Sequence, residues 1–325
     1  MGRLTRRSAA VLAFVGYLTI QSTQAYAAFP ERPIKVFVPF PAGGAVDLIA
    51  RLVTARITQE TGWSFVIESK AGAGGILATD ATAKATPDGY TLLLTTPNHT
   101  INAALKSNLP YDTERDLIPL SVVAEVPELL VSHPSAPFDT FAGFVAHAKA
   151  NPGKLNYSSA GNGTLPHVTM ELLLKLASLK VVHVPYRGAT PAMTDLLAGV
   201  VQLKFDTYAT ANEMVAAGKL RALAFASAAR SKQMPQLPTI AEMGYAGYEG
   251  VFWNGLMAPA GTPKAIVDQL AAASISAARS PALGERLMRD GIDPVGSTQD
   301  AFAQRITREI GQWRELAKSV TISLD

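Results

Sequence analysis

Hydrophobic positions along the chain fall into two alternating patterns. Short β-branched or aliphatic runs, Ile34-Lys35-Val36-Phe37-Val38, Phe65-Val66-Ile67-Glu68 and Tyr90-Thr91-Leu92-Leu93-Leu94, are separated by longer Ala-rich stretches of helical spacing that begin near Gly44 and Gly74. Runs this short read as strands and the stretches between them as helices, which predicts a βαβαβ unit. The rhythm restarts after residue 130. Lys154-Leu155-Asn156-Tyr157 precedes a helix over Pro166 to Leu176, Val181-Val182-His183-Val184 one over Ala189 to Ala198, and Leu203-Lys204-Phe205 one over Ala209 to Ala217; Arg221 to Ala226 closes the series. Parallel strands need crossover helices and bury both faces, so the pattern predicts an α/β protein with two parallel-type sheets, each with helices on both faces.

Between the two units, Leu117 to Ala124 and Leu129-Leu130-Val131 are strand-like runs with prolines beside them, and they predict a crossing from one unit to the other. Tyr248 to Met257 predicts a second crossing, and the helices after Ala258-Pro259-Ala260-Gly261-Thr262-Pro263 then return to the first unit. Two crossings make a hinge. The division expected is a first lobe of residues 28–125 plus 251–325 and a second of 126–250. In the last helix Ser297 and Asp300 offer a capping box, and Phe302, Ile306, Ile310, Trp313 and Leu316 form one apolar stripe.

Residues 1–27 follow another plan: Arg3, Arg6 and Arg7, an apolar run from Ala9 to Ile20, then Ala25-Tyr26-Ala27. A basic start, a short apolar stretch and a small-residue end are the layout of a cleaved secretory signal, and the run is too short to span a bilayer. Arg6-Arg7 leaves the general and twin-arginine routes both open. The 325 residues carry 29 Lys and Arg against 26 Asp and Glu, so without the three leader arginines the two signs are equal in number. No basic cluster remains for nucleic acid. With no cysteine there is no disulfide, thiolate metal site or Cys nucleophile, and the five scattered histidines offer no metal spacing, so no metal or cofactor is expected.

Three glycine-rich turns each follow a strand and open a helix: Phe40-Pro41-Ala42-Gly43-Gly44-Ala45-Val46-Asp47, Ala71-Gly72-Ala73-Gly74-Gly75 and Ser158-Ser159-Ala160-Gly161-Asn162-Gly163-Thr164. Helix N-termini present unpaired N–H groups to an anion, and glycine lets a ligand approach the backbone. None of the three fits a nucleotide fingerprint. Ser158, Ser159 and His167 with Asp195 or Asp206 are the residue types of a hydrolytic triad, but the G-x-S-x-G elbow is missing, and hydrolysis stays an alternative only.

The order and spacing of Val38-Pro39-Phe40-Pro41-Ala42-Gly43-Gly44, Pro87-Asp88-Gly89-Tyr90, Leu109-Pro110-Tyr111-Asp112, Ala160-Gly161-Asn162-Gly163-Thr164, Val184-Pro185-Tyr186 and Ala217-Gly218-Lys219-Leu220 carry a resemblance. From about Pro33 to the end of the last helix the chain resembles the periplasmic solute receptors of tripartite tricarboxylate transporters, the Bug family. The resemblance implies a two-lobed periplasmic-binding-protein (Venus flytrap) fold with the ligand cleft between the lobes. It implies a non-enzymatic, monomeric receptor in the periplasm that captures a small organic carboxylate and hands it to an inner-membrane permease. A sensor for a membrane kinase is the alternative use of the same fold. The implied ligand site is Phe40, Ala42, Gly43, Gly44 and Asp47 on the first lobe. On the second it is Ser158, the turn Ala160, Gly161, Asn162, Gly163 and Thr164, with His167, Tyr186 and Asp206. For Asp206 a second role is open, as cap of the helix from Ala209.

The mature protein is expected to begin at Ala28 and to be recovered from the periplasm, because the residues on both sides of that cut are small. N-terminal sequencing checks it; exported protein still carrying Met1 to Ile20 would overturn it.

Overall fold

Strand-forming runs and their crossover helices alternate through the first hundred residues of the structure, a computed structural model that describes residues 29–319. The expected leader, residues 1–27, lies outside the described residues. Strand β1 (Ile34–Val38) leads to α1 (Ala45–Thr61), β2 (Phe65–Ser69) to a single 3-10 turn at Ala73–Gly75 and α2 (Ile76–Ala83), and β3 (Thr91–Thr95) to α3 (Asn98–Leu105). β1 lies between β2 and β3, parallel to both. It is the innermost of the three, and Ile34, Val36 and Val38 are wholly buried.

Next comes β4 (Leu117–Ser132), the longest strand among the described residues, followed by α4 (Phe141–Ala150). The second unit then repeats the first: β5 (Asn156–Ser159), α5 (Leu165–Ala177), β6 (Val182–Pro185), α6 (Ala189–Leu197), β7 (Leu203–Thr207), α7 (Tyr208–Ala216) and β8 (Arg221–Phe225). β5 runs parallel to β6 and β7. Strand β9 (Val251–Pro259), α8 (Lys264–Arg279), α9 (Pro281–Arg289), the short β10 (Asp293–Pro294) and α10 (Gln299–Ala317) are the last elements of the described residues.

The pairing of β4 organises the rest. From Leu117 to Pro127 it pairs antiparallel with β9, and from Glu128 to Ser132 antiparallel with β7, so one continuous strand serves both sheets. Each unit is parallel within itself as expected, but the crossing strands make the whole sheet mixed. Orientation follows from the pairing. Because β9 is antiparallel to both β3 and β4, the C-terminal ends of β1 to β3 point along β4 toward the second lobe. Because β7 is antiparallel to β4, the ends of β5 to β7 point back toward the first. The helices that follow these strands therefore begin on the inner edges of two facing lobes, where open α/β sheets bind ligands.

Two local expectations are corrected. The prolines around Leu117 to Val131 suggest two runs, whereas β4 is one strand that absorbs Pro119 at a register shift against β9; proline cannot donate to the ladder and is tolerated at such an irregularity. The cap of α10 is Thr298, whose hydroxyl accepts from Ala301 N, while Ser297 Oγ accepts from Val122 N at 2.9 Å and so docks the helix start onto β4. The apolar stripe of α10 is as expected, each of its five side chains being buried. Phe302 stands edge-on to Trp253 of β9.

Beside Trp253's ring, Gly255 of β9 is a glycine of necessity. A methyl group there would meet Phe302 Cζ at 2.3 Å and Cε1 at 2.6 Å, and a sheet-centre strand has little room to retreat. Gly255→Ala is expected to cost about 2 kcal/mol in urea unfolding. Adding Phe302→Leu to that variant should recover part of the loss; an unchanged unfolding midpoint in Gly255→Ala would contradict the packing described.

Candidate functional site

Helix capping divides the molecule by location. Among the described residues six helices follow the parallel strands, four others do not, and the N-cap residues of the six are Gly44, Gly75, Pro97, Thr164, Gly188 and Thr207. None of the six gives its helix a side-chain hydrogen bond. Three of the other four helices do have a hydroxyl cap, from Thr140, Ser280 and Thr298. At two of the uncapped ends a suitable hydroxyl is present but engaged with another partner: Thr164 Oγ1 donates to Gly161 O at 2.7 Å, and Thr207 Oγ1 pairs with the Thr210 hydroxyl at 2.9 Å instead of with a backbone N–H. At α2 and α3 backbone carbonyls take the first N–H groups, Ile76 N going to Ala73 O and His99 N to Thr96 O, whereas the starts of α1 and α5, one in each lobe, carry open donors and positive dipole ends.

The first turn, Phe40 to Asp47, is exposed from Pro41 to Ala45 and buried again at Val46 and Asp47. Gly43 is left-handed at φ +84°, and a Cβ on it would meet nothing within 4 Å. Asp47 Oδ2 accepts from Gly43 N at 3.0 Å, and both its oxygens are held by Arg51, Nε at 2.8 Å and Nη2 at 3.1 Å. The Arg51 bond, and less strongly the Gly43 N–H, hold the Asp47 carboxyl below its ordinary range against the opposing effect of burial. The second turn leans on the first: Ser69 Oγ donates to Phe40 O at 2.6 Å, and a Cβ on Gly75 would touch Pro39 at 3.3 Å.

In the second lobe, Gly161 has φ +133° and a Cβ on it would stand 3.3 Å from Tyr186 O, so this glycine is required by backbone as well as by space. Ser159 Oγ accepts from Gly161 N at 3.2 Å and lies 2.7 Å from His183 Nε2. His167 Nδ1 accepts from Gly163 N at 3.0 Å, and its ring stacks on His183 with centroids 3.9 Å apart. Burial and, secondarily, the neighbouring His183 push the His167 pKa down to about 3, and burial pushes His183 to about 4. Both rings are neutral in ordinary buffers. Ala160, Gly161, Gly163 and Thr164 are half-buried and Asn162 is exposed.

Other candidates are engaged elsewhere. Ser158 is wholly buried and donates to Ala192 O at 3.2 Å, and Tyr186 OH donates to Asp195 Oδ2 at 2.5 Å. Asp206 is buried, with Oδ2 on Lys204 Nζ at 2.6 Å and Oδ1 accepting from Thr207 N at 2.8 Å and Thr210 Oγ1 at 2.7 Å. The residues of the alternative triad do not assemble, since His167 serves Gly163, Asp195 serves Tyr186 and Asp206 serves Lys204. Sequence reasoning missed Lys204, an almost fully buried lysine in a strand, and Glu128 opposite the end of β7. Burial foremost, and Asp206 nearby, raise the Glu128 carboxyl to about 8 against the pull of Lys204.

With this geometry in place, comparison with known proteins decides the family. A family model described as the tripartite tricarboxylate transporter family receptor matches residues 49–322. The chain belongs to that family. The second and third glycine turns lie inside the matched range and the first just before it. BugT of Bordetella pertussis is 34% identical to this receptor over 323 residues, 99% of each chain. The structure of Rpa4515 of Rhodopseudomonas palustris with adipate resembles it with a TM-score of 0.77 and 33% identity, over 91% of this chain and 99% of its own. MatC of the same organism with bound malate gives 0.73 and 33%, over 89% and 99%. The fold is thus that of two-lobed periplasmic binding proteins. A receptor family and a dispersed triad together remove the hydrolase alternative.

The titrating groups make stability depend on pH with known signs. His99, buried to a pKa of about 4, joins His167 and His183 in staying neutral when folded, while the unfolded chain binds protons near 6.5. Their contribution is complete above pH 6.5 and is lost as pH falls toward 4. Glu128 has the opposite sign: its folded pKa is raised, so its contribution is present below 4.5 and is lost as pH rises to about 8. Glu128→Gln removes that opposing slope. Its unfolding midpoint is expected to drop more than the wild type's between neutral and mildly acidic buffer, measured by denaturant titration; a smaller drop would contradict the assignment.

Proposed function

We propose that this receptor captures a small organic carboxylate between its lobes, taken as residues 28–125 with 251–325 and 126–250, and delivers it to the inner-membrane permease of a tripartite tricarboxylate transporter. The observation that carries the reading is the set of uncapped helix starts on the facing inner edges, with open glycine turns at α1 and α5. Backbone donors hold a carboxylate without a buried cation, which suits a protein that must release its cargo. Relatives bound to adipate and to malate are consistent with an acid of that size. The contacts proposed are the backbone of Phe40 to Gly44 on one lobe and of Ala160 to Thr164 on the other. Export through a cleaved leader and action as a monomer belong to the same proposal.

Calorimetric titration with malate, adipate, glutamate and benzoate, together with mass spectrometry of any co-purified acid, tests it. One site per chain is expected, with a dissociation constant on the order of 1 µM for the preferred acid and no chemical change in it. Gly43→Ala places a methyl group in the open space before the turn; it is expected to weaken binding by about tenfold while costing only about 1 kcal/mol of stability. Equal affinity in wild type and Gly43→Ala would remove the first turn from the site, and absence of binding to every acid in the panel would count against the function.

A further inference from the structure

The two turns share a brace. Asp47 is the third residue of α1 and His167 the third of α5. Each accepts, at 3.0 Å, the N–H of the glycine four residues earlier, Gly43 or Gly163. Both glycines are left-handed, at φ +84° and +69°, and both stand immediately before an N-cap residue that makes no side-chain cap. In a capping box the third-position side chain returns to the N–H of the N-cap residue itself. Here it returns one residue further back. The loop is fixed, and the first N–H groups of the helix stay uncovered.

We propose that Asp47 and His167 are matched positioning residues, one per lobe, which hold the glycine turns with their helix N–H groups open to the carboxylate and do not themselves touch it. The inference rests on the function proposed above. The chemistry of the two acceptors supports it. Asp47 is 3% exposed, and both its oxygens are engaged by Arg51 and Gly43, so its charge is compensated before a ligand arrives. His167 is 4% exposed and accepts through Nδ1, which puts the ring proton on Nε2 and leaves the ring uncharged. An anionic brace with its own arginine in one lobe and a neutral brace in the other reach the same end, a fixed turn with no uncompensated negative charge beside an incoming anion.

Isosteric replacements separate positioning from contact. The side-chain oxygen of asparagine lies where histidine carries Nδ1, and that of glutamine lies near Nε2. The readouts are calorimetry with malate, adipate, glutamate and benzoate, melting temperature, and hydrogen exchange of the Gly43 and Gly163 amides in the ligand-free protein. His167→Leu and His167→Gln are expected to weaken binding about tenfold and to speed exchange at Gly163, with His167→Asn restoring both to within about threefold of wild type. Asp47→Ala should likewise weaken binding and speed exchange at Gly43, with Asp47→Asn, whose Oδ1 still accepts the Gly43 N–H, staying within about threefold of wild type. Rescue by glutamine instead of asparagine would mean contact through Nε2 and would overturn the proposal. So would loss of affinity with unchanged exchange, or affinity and melting temperature falling together in every variant. Should the wild type bind none of the acids, the proposed function fails, while exchange at Gly43 and Gly163 still decides whether the braces exist.

Discussion

Arg305, buried on α10, donates to three carboxylates at once: Glu125 on β4, Glu249 just before β9, and Glu309 one turn along its own helix. Burial works against its charge, and the three carboxylates more than offset it, so the guanidinium is held still more firmly protonated than usual. Glu309 is tied in turn to Trp253 Nε1 at 3.0 Å and to Thr100 Oγ1 at 2.8 Å. The cluster therefore binds α10 and α3 to both strands on which the chain passes between lobes, at the pair Glu125 and Trp253 in the β4 and β9 register. A planar guanidinium with several fixed donors suits such a junction better than an ammonium would. Deleting it would leave three carboxylates crowded together, Glu125 and Glu249 half-buried and Glu309 buried, and breaking a buried pair such as Arg305 with Glu309 costs roughly 3–5 kcal/mol. The inner edges of the lobes face each other because β4 and β9 cross side by side, and this cluster fixes where they do so.

Given that frame, the proposed carboxylate site is built from backbone. Side chains near the turns have their polar atoms directed away from the open N–H groups: Thr164 back to Gly161, Ser159 to His183, Asp47 to Arg51. A helix start with its own hydroxyl or carboxylate cap would already be satisfied and would bind an anion weakly. The missing caps cost some stability at the helix starts that backbone carbonyls do not close. Buried strands and the apolar stripe of α10 supply it elsewhere. The uncapped ends lie on the inner edges, which matches a function carried by anion capture.

Much of this was legible in the sequence because parallel strands buried on both faces leave uninterrupted aliphatic runs. The glycine turns were legible because strand, glycine and helix follow one another within a few residues. The single long β4 was not, since Pro119 and Pro127 look like breaks and only pairing with β9 and β7 makes the segment one strand. Helix α3 was missed because Asn98, His99 and Thr100 are poor helix formers locally, and its place comes from packing against α10. The spacing of Asp47 from Gly43, and of His167 from Gly163, is plain in the chain, but nothing local says whether such a side chain faces a ligand or its own loop. The Arg305 cluster joins residues 56 and 180 positions apart, beyond any local pattern.

Asp206 shows most clearly how a strand-end carboxylate changes meaning in three dimensions. Resemblance gave it a place in the cleft, and local sequence gave it a helix cap. Neither describes its partners: the N-cap of α7 is Thr207, and Asp206 has one oxygen on Thr207 N and Thr210 Oγ1 and the other on Lys204 Nζ. Lys204 also donates to Phe205 O at 3.1 Å and is 1% exposed, so its charge has to be balanced on the spot. Asp206 supplies that balance. Glu128, with its carboxyl raised to about 8, is protonated at neutral pH and adds no second negative charge. One cation and one anion leave the end of β7 electrically quiet. A neutral cluster at the inner edge of the second lobe would keep repulsion away from the carboxylate proposed above, just as Arg51 would for Asp47 in the first.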